Sequence, residues 1–525
     1  GTLITIGVLL AFMILIRRWY AYWAVAFIVA AIITEVIRII RPPYFIRPHF
    51  VRLLKFVFVV SLAALVVFIT VASPILKRMA TTNYSDIYSA FRSSDSLSQI
   101  VISLKKMYLH MGPFSLLFAA VGAVFSLRRS RQMRSFSVFL FVQLVIIFIL
   151  FSRTQDFSDH HWYLICTYIA FFAAIGGLAL VSSISNRAIR LLLTAFYLIL
   201  VLVNFSLVFI PRTADKAAFL PSLFSSARHY PLIRHDLSEL DRLVNKLDGL
   251  TTPNRDSIYV LASSLVLSDD ILRNAAALHP GHDNFHQKMP VGSHVDKRDG
   301  FPSHLLSADY VVTATPLQRH LRTEGQRVIA LPLSDIEQHR GIGKSFERLD
   351  DSFLLDNQVM AYIYRRMAPI SRADMESLEK TFVNIYPEHR EKFRINHLCG
   401  LIETKEIDDF PASIGCQNSL LEFTPGENRP TKVTFRLAGN YSKLGALFRF
   451  SNIREIERGC GERGGEVGLK ILADGEPLFS GKMVHSNPQA LSFNVSGIDI
   501  LTVSVDKGDN GLACDWFTVD NPVIE

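Results

Sequence analysis

Phe151-Ser152-Arg153-Thr154-Gln155-Asp156-Phe157-Ser158-Asp159-His160-His161-Trp162-Tyr163 is the stretch on which the reading of the fold turns. It lies between two long apolar runs, Ser135–Phe151 and Tyr163–Ser182. If both runs cross a bilayer, the stretch is held at one face of it. It packs an Arg, two Asp, a Gln and two His among aromatic residues. Two readings follow. Cations fixed at an interface, Arg153 and the His160-His161 pair above all, suit the phosphate of a lipid-linked substrate. Alternatively the stretch is a polar hairpin whose aromatic residues only anchor helix ends at the headgroup level.

Working outward, the apolar runs continue on both sides. A spanning helix needs roughly 20 mostly apolar residues. The candidates are Gly1–Ile16, Trp19–Ile40, Leu53–Ser73, Phe114–Leu127, Ser135–Ser152, Tyr163–Ser182 and Leu191–Ile210. The expected count is therefore about seven, within residues 1–210. The first is cut short, because the chain opens on Gly inside an apolar run; the reading is a fragment without its natural N-terminus. The fourth run extends back through Met107–Pro113. Before it, Leu97–Tyr108 carries apolar residues at helical spacing with Lys105 and Lys106. That pattern fits an amphipathic helix lying on the membrane surface.

Basic loops set orientation. Arg128–Arg134 holds the densest cluster; Arg38, Arg41, Arg47, Arg52 and Lys55 form a second, and Arg187 with Arg190 a third. The three alternate correctly if Pro74–Pro113, Arg153–Trp162 and everything after Ile210 face outward. Arg17-Arg18 conflicts with that scheme. Glu35 and Arg38 lie three apart and can pair on one helix face. The formal charge of +8 among 525 residues thus belongs largely to membrane-flanking loops, and no nucleic-acid partner is expected.

Mean hydropathy over the whole chain is +0.27, an average of two unlike halves. After about Pro211 the charges, Pro and Gly are spread as in a water-soluble domain. Leu237–Leu247 reads as a helix, Ser257–Ser264 as a strand, and Ser268–Leu278 as a helix capped by Ser268. Ala308–Thr315 and Gln326–Leu331 read as strands, Leu317–Leu321 as a helical turn, and Phe353–Arg365 as a strand pair about Asp356-Asn357. A small α/β domain over residues 211–367 is expected. It has neither a phosphate-binding Gly loop nor a nucleophile elbow. Residues 368–394 read as a helical linker. From about Ile395 short strands follow with Gly-containing turns between them: Lys432–Leu437, Ala446–Phe450, Glu466–Ala473, Leu478–Lys482, Ala490–Val495, Leu501–Asp506 and Leu512–Val519. Residues 395–525 are expected to form a β-sandwich.

Of the five cysteines, Cys166 falls in an apolar run. For Cys399, Cys416, Cys460 and Cys514 two states stand open. Outside the cytoplasm they form the pairs Cys399–Cys416 and Cys460–Cys514; inside it they stay reduced. The absence of C-x-x-C argues against zinc, and no metal ligand is assigned.

Two resemblances add to this. Phe435-Arg436-Leu437-Ala438-Gly439-Asn440-Tyr441-Ser442, Val467–Gly475, Val495–Leu501 and Cys514-Asp515-Trp516 are similar to the NPCBM carbohydrate-binding module, a galactose-binding-like β-sandwich. The departure is Arg454–Gly465, an insertion. The resemblance implies glycan binding, with Tyr441 and Trp516 stacking on a sugar ring and Asp515 or Asp474 accepting its hydroxyls. The plain alternative is that Trp516 fills the core and Asp474 serves its turn. The N-terminal part, over about residues 1–367, resembles GT-C membrane glycosyltransferases of the protein-mannosyltransferase-like group. Its topology and the stretch from Arg153 to Leu164 carry that likeness.

This second resemblance implies a multi-pass protein of the bacterial inner membrane with its C-terminal domains outside the cytoplasm. It implies transfer of a sugar from a polyprenyl phosphate to a glycan, lipid or protein acceptor, with Arg153, His160, His161, Lys105 and Lys106 as donor-phosphate ligands. Membrane lipid is a further partner. No cofactor is required, and use of a divalent metal is left open. The family's catalytic carboxylate lies in a first outward loop that this sequence lacks, and it is expected upstream. The competing expectation is a non-enzymatic, membrane-anchored glycan-binding or scaffold protein. A transporter ranks third, because charges inside the spans are few.

Overall fold

Uninterrupted apolar runs leave the backbone one way to satisfy its hydrogen bonds in lipid, the helix. The computed structural model describes residues 2–17, 19–40, 46–71, 95–210, 213, 223–226, 234–252, 256–278, 281–282, 284–289, 296–407, 412–417, 420–451, 465–509 and 514–525. The side chains of residues 38–40, 46–49, 71, 96 and 159 also lie outside that description. The described chain forms two compact units, Gly1–Leu232 and Ile233–Glu525.

The first unit is helical: α1 (Thr2–Ile16), α2 (Tyr20–Ile40), α3 (Ile46–Val71), α4 (Ser96–Leu127), α5 (Arg131–Thr154), α6 (Tyr163–Ser182) and α7 (Arg187–Phe209). Six of these, α2 to α7, are long and apolar enough to cross a membrane, which makes this a multi-pass membrane unit. The expected seventh span is α1, which at 15 residues falls short of the ~20 required. Asp95, Ser130 and Asn186 cap α4, α5 and α7 by accepting from the backbone N–H of Ser98, Met133 and Ala188. Helices α4 and α6 meet through Gly122 and Gly176. A Cβ on either would run into the backbone of the other helix, the close approach that small residues allow between spans.

Helix α4 joins two pieces read separately from the sequence. Gly112 is non-helical (φ 75°, ψ 149°) and Pro113 follows it, so the helix breaks there. The expected surface helix is its first half, with a different arrangement of faces. Leu97 and Val101 are 79% and 65% exposed, and Leu104 and Tyr108 continue that row, while Gln99 and Ser103 are fully buried. The apolar row faces outward, as lipid requires, and the polar row faces the bundle. The Pro74–Pro113 loop up to Ser94, the basic residues Arg18, Arg38, Arg41 and Arg47, and hence the Glu35–Arg38 pair, lie outside the described residues or side chains.

The second unit contains an α/β layer and a sandwich. The first comprises α8 (Leu237–Leu250), β1 (Ile258–Val260), α9 (Asp269–Ala277), β2 (Tyr310–Thr315), α10 (Arg327–Glu337), β3 (Phe346–Leu355) and β4 (Val359–Arg366). Its sheet order is β1-β2-β4-β3, with β1 parallel to β2 and the other pairs antiparallel. Ser268 caps α9 as expected. Gln326–Leu331, read as a strand, instead begins α10. Val328, Ile329, Pro332, Leu333 and Ile336 are its buried residues, a helical spacing that continues past the proline at which the strand reading stopped. Leu317–Leu321 is not a helical turn.

The expected linker is also corrected. Within it, α11 (Arg372–Ile385) buries Met375, Leu378 and Phe382 in the same core as the strands on either side of it.

The sandwich consists of β5 (Ile402–Glu406), β6 (Ser413–Cys416), β7 (Leu420–Thr424), β8 (Thr431–Arg436), β9 (Lys443–Phe450), β10 (Glu466–Ala473), β11 (Glu476–Val484), β12 (Gln489–Asn494), β13 (Ile500–Lys507) and β14 (Phe517–Ile524). Two five-stranded antiparallel sheets, β11-β10-β13-β8-β5 and β12-β9-β14-β7-β6, make it up. Alternation along the strands buries Val433 and Phe435 from one sheet and Phe448 and Phe450 from the other. Asp474 and Gly475 take positive φ at the β10–β11 hairpin, as an Asp-Gly turn requires. The last expected strand, Leu512–Val519, is displaced to β14.

Cys399 and Cys416 form a disulfide across 17 residues, with Cα atoms 5.8 Å apart. Cys514 is also disulfide-bonded; Cys460, its expected partner, lies outside the described residues, as does most of the Arg454–Gly465 insertion.

A buried ion cluster joins the α/β layer to the sandwich. Lys405 of β5 donates to Asp309 (2.8 Å), to the Ser307 carbonyl (3.0 Å) and to Ser257 Oγ (3.2 Å). Arg366 of β4 reaches the other Asp309 oxygen at 3.5 Å and donates to the Ile402 carbonyl at 2.9 Å. Burial alone would raise the Asp309 carboxyl, but the charges of Lys405 and Arg366 outweigh it and hold the group below the usual carboxylate range.

Candidate functional site

At one end of the helical bundle the chain from Gln155 to Trp162 folds over an aromatic floor. The ring of Phe157 lies 4.4 Å from Phe151 and 4.5 Å from Trp162, and Trp162 stacks on His110 of α4 at 4.9 Å. His161 is buried against Phe151 (4.6 Å) and the edge of Trp19 (4.3 Å). The Ser158 backbone N–H donates to His161 Nδ1 at 3.1 Å. In neutral His161 the ring proton therefore sits on Nε2. His160 is exposed and lies 4.7 Å from Trp19. The Arg17 guanidinium covers the same indole at 5.0 Å, a cation–π arrangement. The Arg17 that conflicts with the basic-loop scheme therefore stands beside the two histidines.

The five expected phosphate ligands divide. Arg153, in the last turn of α5, and Lys105, on α4, are exposed and make no ion pair or hydrogen bond among the described residues. Lys106 is held by Asp156 at 3.5 Å. His160 faces solvent. His161 is a floor residue whose Nδ1 is committed to Ser158.

The sequence reading missed the inward row of α4. Gln99, Ser103, Lys106 and His110 recur at intervals of four, three and four, one helix face. That face meets the loop, because Lys106 reaches Asp156 and His110 stacks on Trp162. The spacing was legible; attention to the apolar residues of the same segment hid it. Among the described residues, four polar atoms at this end are buried without a hydrogen-bond partner: Ser103 Oγ, Ser152 Oγ, Gln155 Nε2 and Trp162 Nε1. Buried polar groups are nearly always satisfied, so these four atoms are available for further polar contacts, as are Ser137 Oγ and Gln143 Nε2 elsewhere in the bundle.

Beside that face, an apolar cavity of about 290 Å³ is lined by Leu104 and Met107 of α4, Leu144 and Phe148 of α5, and Ile169 and Phe172 of α6. Leu104 and Met107 flank Lys105 and Lys106 in the sequence. Cations and an apolar recess thus occupy the same turn of one helix.

The three residues expected to bind carbohydrate are not brought together. Tyr441 precedes β9, whereas the Trp516 carbonyl accepts from Ser451 N–H just beyond it. At about 3.3 Å per residue the two rings are held roughly 30 Å apart in the strand direction. Tyr441 is buried beneath the Arg372 guanidinium, 5.0 Å from its ring, and burial pushes its phenol up to about 12. A stacking role on sugar is closed to it in this arrangement. Asp515 is buried too; its Oδ1 accepts from Glu466 N–H at 2.9 Å, and its Oδ2 has no partner among the described residues. Burial pushes its carboxyl up to about 7. Trp516 is half-buried. Asp474 accepts from the Ile500 N–H at 2.8 Å and so serves its turn.

No family model matches the chain, and no curated protein matches it. Among solved structures, CBM51-2 in complex with GlcNAc, with INT domains, from Clostridium perfringens ZmpB is 13% identical, covering 23% of this chain and 29% of that chain, with a TM-score of 0.19. CBM51 from Clostridium perfringens GH95 in complex with methyl-galactose is 10% identical, covering 23% and 78%, with a TM-score of 0.18. The tandem CBM51 modules of Sp3GH98 from Streptococcus pneumoniae are 9% identical, covering 23% and 44%, with a TM-score of 0.19. Scores this low carry no argument, and the sandwich stands on its own strand order.

Proposed function

We propose that the chain belongs to a membrane glycosyltransferase that uses a polyprenyl-phosphate sugar, and that the loop end of the bundle receives the donor's phosphate. The observation that carries this reading is the turn of α4 where Leu104 and Met107, which line an apolar recess, flank Lys105 and Lys106 in the sequence, and the polar row faces the loop. A polyprenyl phosphate asks for that pairing of anion site and apolar slot. In the reaction the acceptor hydroxyl oxygen attacks the anomeric carbon as the bond from that carbon to the phosphate oxygen breaks. The electron pair leaves on the phosphate, and the hydroxyl proton passes to a carboxylate base supplied from outside this site. Arg153 and Lys105 stabilise the charge on the departing phosphate, Arg153 by the planar fork that matches its oxygens. His161 and the aromatic floor position the loop.

The Cys399–Cys416 disulfide supports an oxidising compartment for the C-terminal unit, in keeping with an outward placement in a bacterial plasma membrane. The sandwich would then be an accessory that holds a glycan, lipid or protein acceptor.

The test is sugar transfer from a polyprenyl-phosphate donor by the full-length protein in membranes. With Arg153→Ala and Lys105→Ala combined, transfer is expected to fall by at least about tenfold, the scale of one lost charge-assisted contact. Unchanged transfer would remove this end from the chemistry. Failure to transfer from any donor would leave a membrane-anchored glycan-binding protein as the better reading.

A further inference from the structure

The opposite end of the bundle holds a second built feature. A cavity of about 730 Å³ lies between α2, α3 and α5, within the ~300–1,000 Å³ of small-ligand sites. Glu35, on its lining, lies about 22 Å along α2 from Tyr20 at a helical rise of 1.5 Å per residue. Tyr20 itself packs on Tyr163 at the loop end, 5.7 Å between rings. The two sites are therefore near opposite bilayer faces.

Three aromatic rings from three helices make the cavity's apolar wall. Phe27 meets Phe139 edge-on at 5.4 Å and Phe56 at 6.4 Å. Glu35 and Arg52 bring a carboxylate and a guanidinium to the same lining. Each lies two residues inside the end of a candidate span, Tyr20–Ile37 and Phe50–Thr70, the depth at which a long charged side chain meets lipid headgroups. Arg52 forms no ion pair or hydrogen bond among the described residues.

A ligand matching this lining carries an anion for Arg52, a hydrogen-bonding cation for Glu35 and an alkyl chain for the phenylalanines. We propose that the cavity binds an aminophospholipid of the bilayer, its phosphate on Arg52, its ammonium on Glu35 and the start of one acyl chain against Phe27, Phe56 and Phe139. An anionic glycerol headgroup would set its negative charge near Glu35 with no ammonium to answer it. A choline headgroup has no N–H to donate. The proposal is independent of the glycosyl-transfer reading.

The test is native mass spectrometry of the full chain in detergent, titrated with phosphatidylethanolamine, phosphatidylcholine and phosphatidylglycerol of one acyl composition. The unsubstituted protein is expected to prefer phosphatidylethanolamine over the other two by about tenfold, as one charge-assisted hydrogen bond provides. Glu35→Gln, nearly isosteric, erases the preference. Arg52→Gln lowers binding of all three lipids. Ala31→Phe, at a residue lining the cavity, removes it. Equal binding of the three lipids by the unsubstituted protein would overturn the proposal, and so would a preference that survives Glu35→Gln. Binding that survives Ala31→Phe places the lipid elsewhere and also overturns it. If Ala31→Phe does not fold, the Glu35→Gln comparison decides alone.

Discussion

Both units bury polar atoms with and without partners among the described residues, but one cluster in each is treated in the opposite way to the other. In the C-terminal unit the Lys405 ammonium reaches a carboxylate, a hydroxyl and a carbonyl, and Arg366 closes the other side of Asp309. In the bundle Ser103, Ser152, Gln155 and Trp162 each keep a buried polar atom without a partner among the described residues. The first arrangement spends its charges on joining two layers. The second leaves hydrogen-bonding capacity in place at one end of a set of helices. A fully matched buried cluster speaks for architecture, whereas unmatched atoms leave room for a further partner.

The contrast can be broken most forcefully at the ion cluster. Lys405→Met is expected to destabilise the C-terminal unit by about 3–5 kcal/mol, the usual result of stranding one member of a buried pair. Trp516 is the one tryptophan of four beyond residue 232, so its fluorescence during urea unfolding of the full chain in detergent reports this unit. A loss under about 1 kcal/mol would show that the cluster is not what joins the layers.

Asp515 sharpens the contrast, since it is a partly unmatched group in the unit that holds the matched ion cluster. Its carboxyl is pushed up to about 7, against ~3.9 for an exposed Asp. Between those values the folded chain holds a proton that the unfolded chain releases. Its stabilising contribution is therefore complete below about pH 4 and is lost as pH rises through 7. Unfolding followed between pH 5 and 8 should show a decline on the order of 2 kcal/mol, which Asp515→Asn flattens. A slope unchanged in the variant would assign the pH dependence to other groups.

The smallest effect has the opposite sign. Ser103→Ala removes a buried, unmatched hydroxyl and is expected to raise the stability of the bundle by about 1 kcal/mol. The same variant should weaken donor binding, read as a raised KM for the polyprenyl-phosphate sugar. A destabilised Ser103→Ala would return the α4 row to plain architecture.

The spans were legible because long apolar runs in lipid admit one backbone solution. Strands β8 to β13 were legible from their alternation and turns. Gln326–Leu331 misled because four apolar residues before a proline fit a strand as well as a helix, and only Leu333 and Ile336 beyond it decide. At the loop end, Arg153, Lys105 and the histidines could be read from residue type. The four-three-four row of α4 could have been, had its polar residues been followed. That Tyr441 and Trp516 lie at opposite ends of β9 depends on pairing register, to which residue types alone give no access. The cavities depend on how three helices pack.

One consequence follows from the break in α4. A Cβ at Gly112 would strike the backbone of Phe224 and Ser225. The carbonyls of Leu109 and His110, released by the break, accept from Ser226 N–H and Ser225 Oγ, and Phe114 N–H donates to Leu223. The polypeptide leaving the last span is thus spliced into the one weak point of the helix that carries Lys105 and Lys106. Residues 223–226 supply partners for backbone groups that the break leaves without helical ones, and fix the joint between the half of the helix that bears Lys105 and Lys106 and the half beyond Pro113.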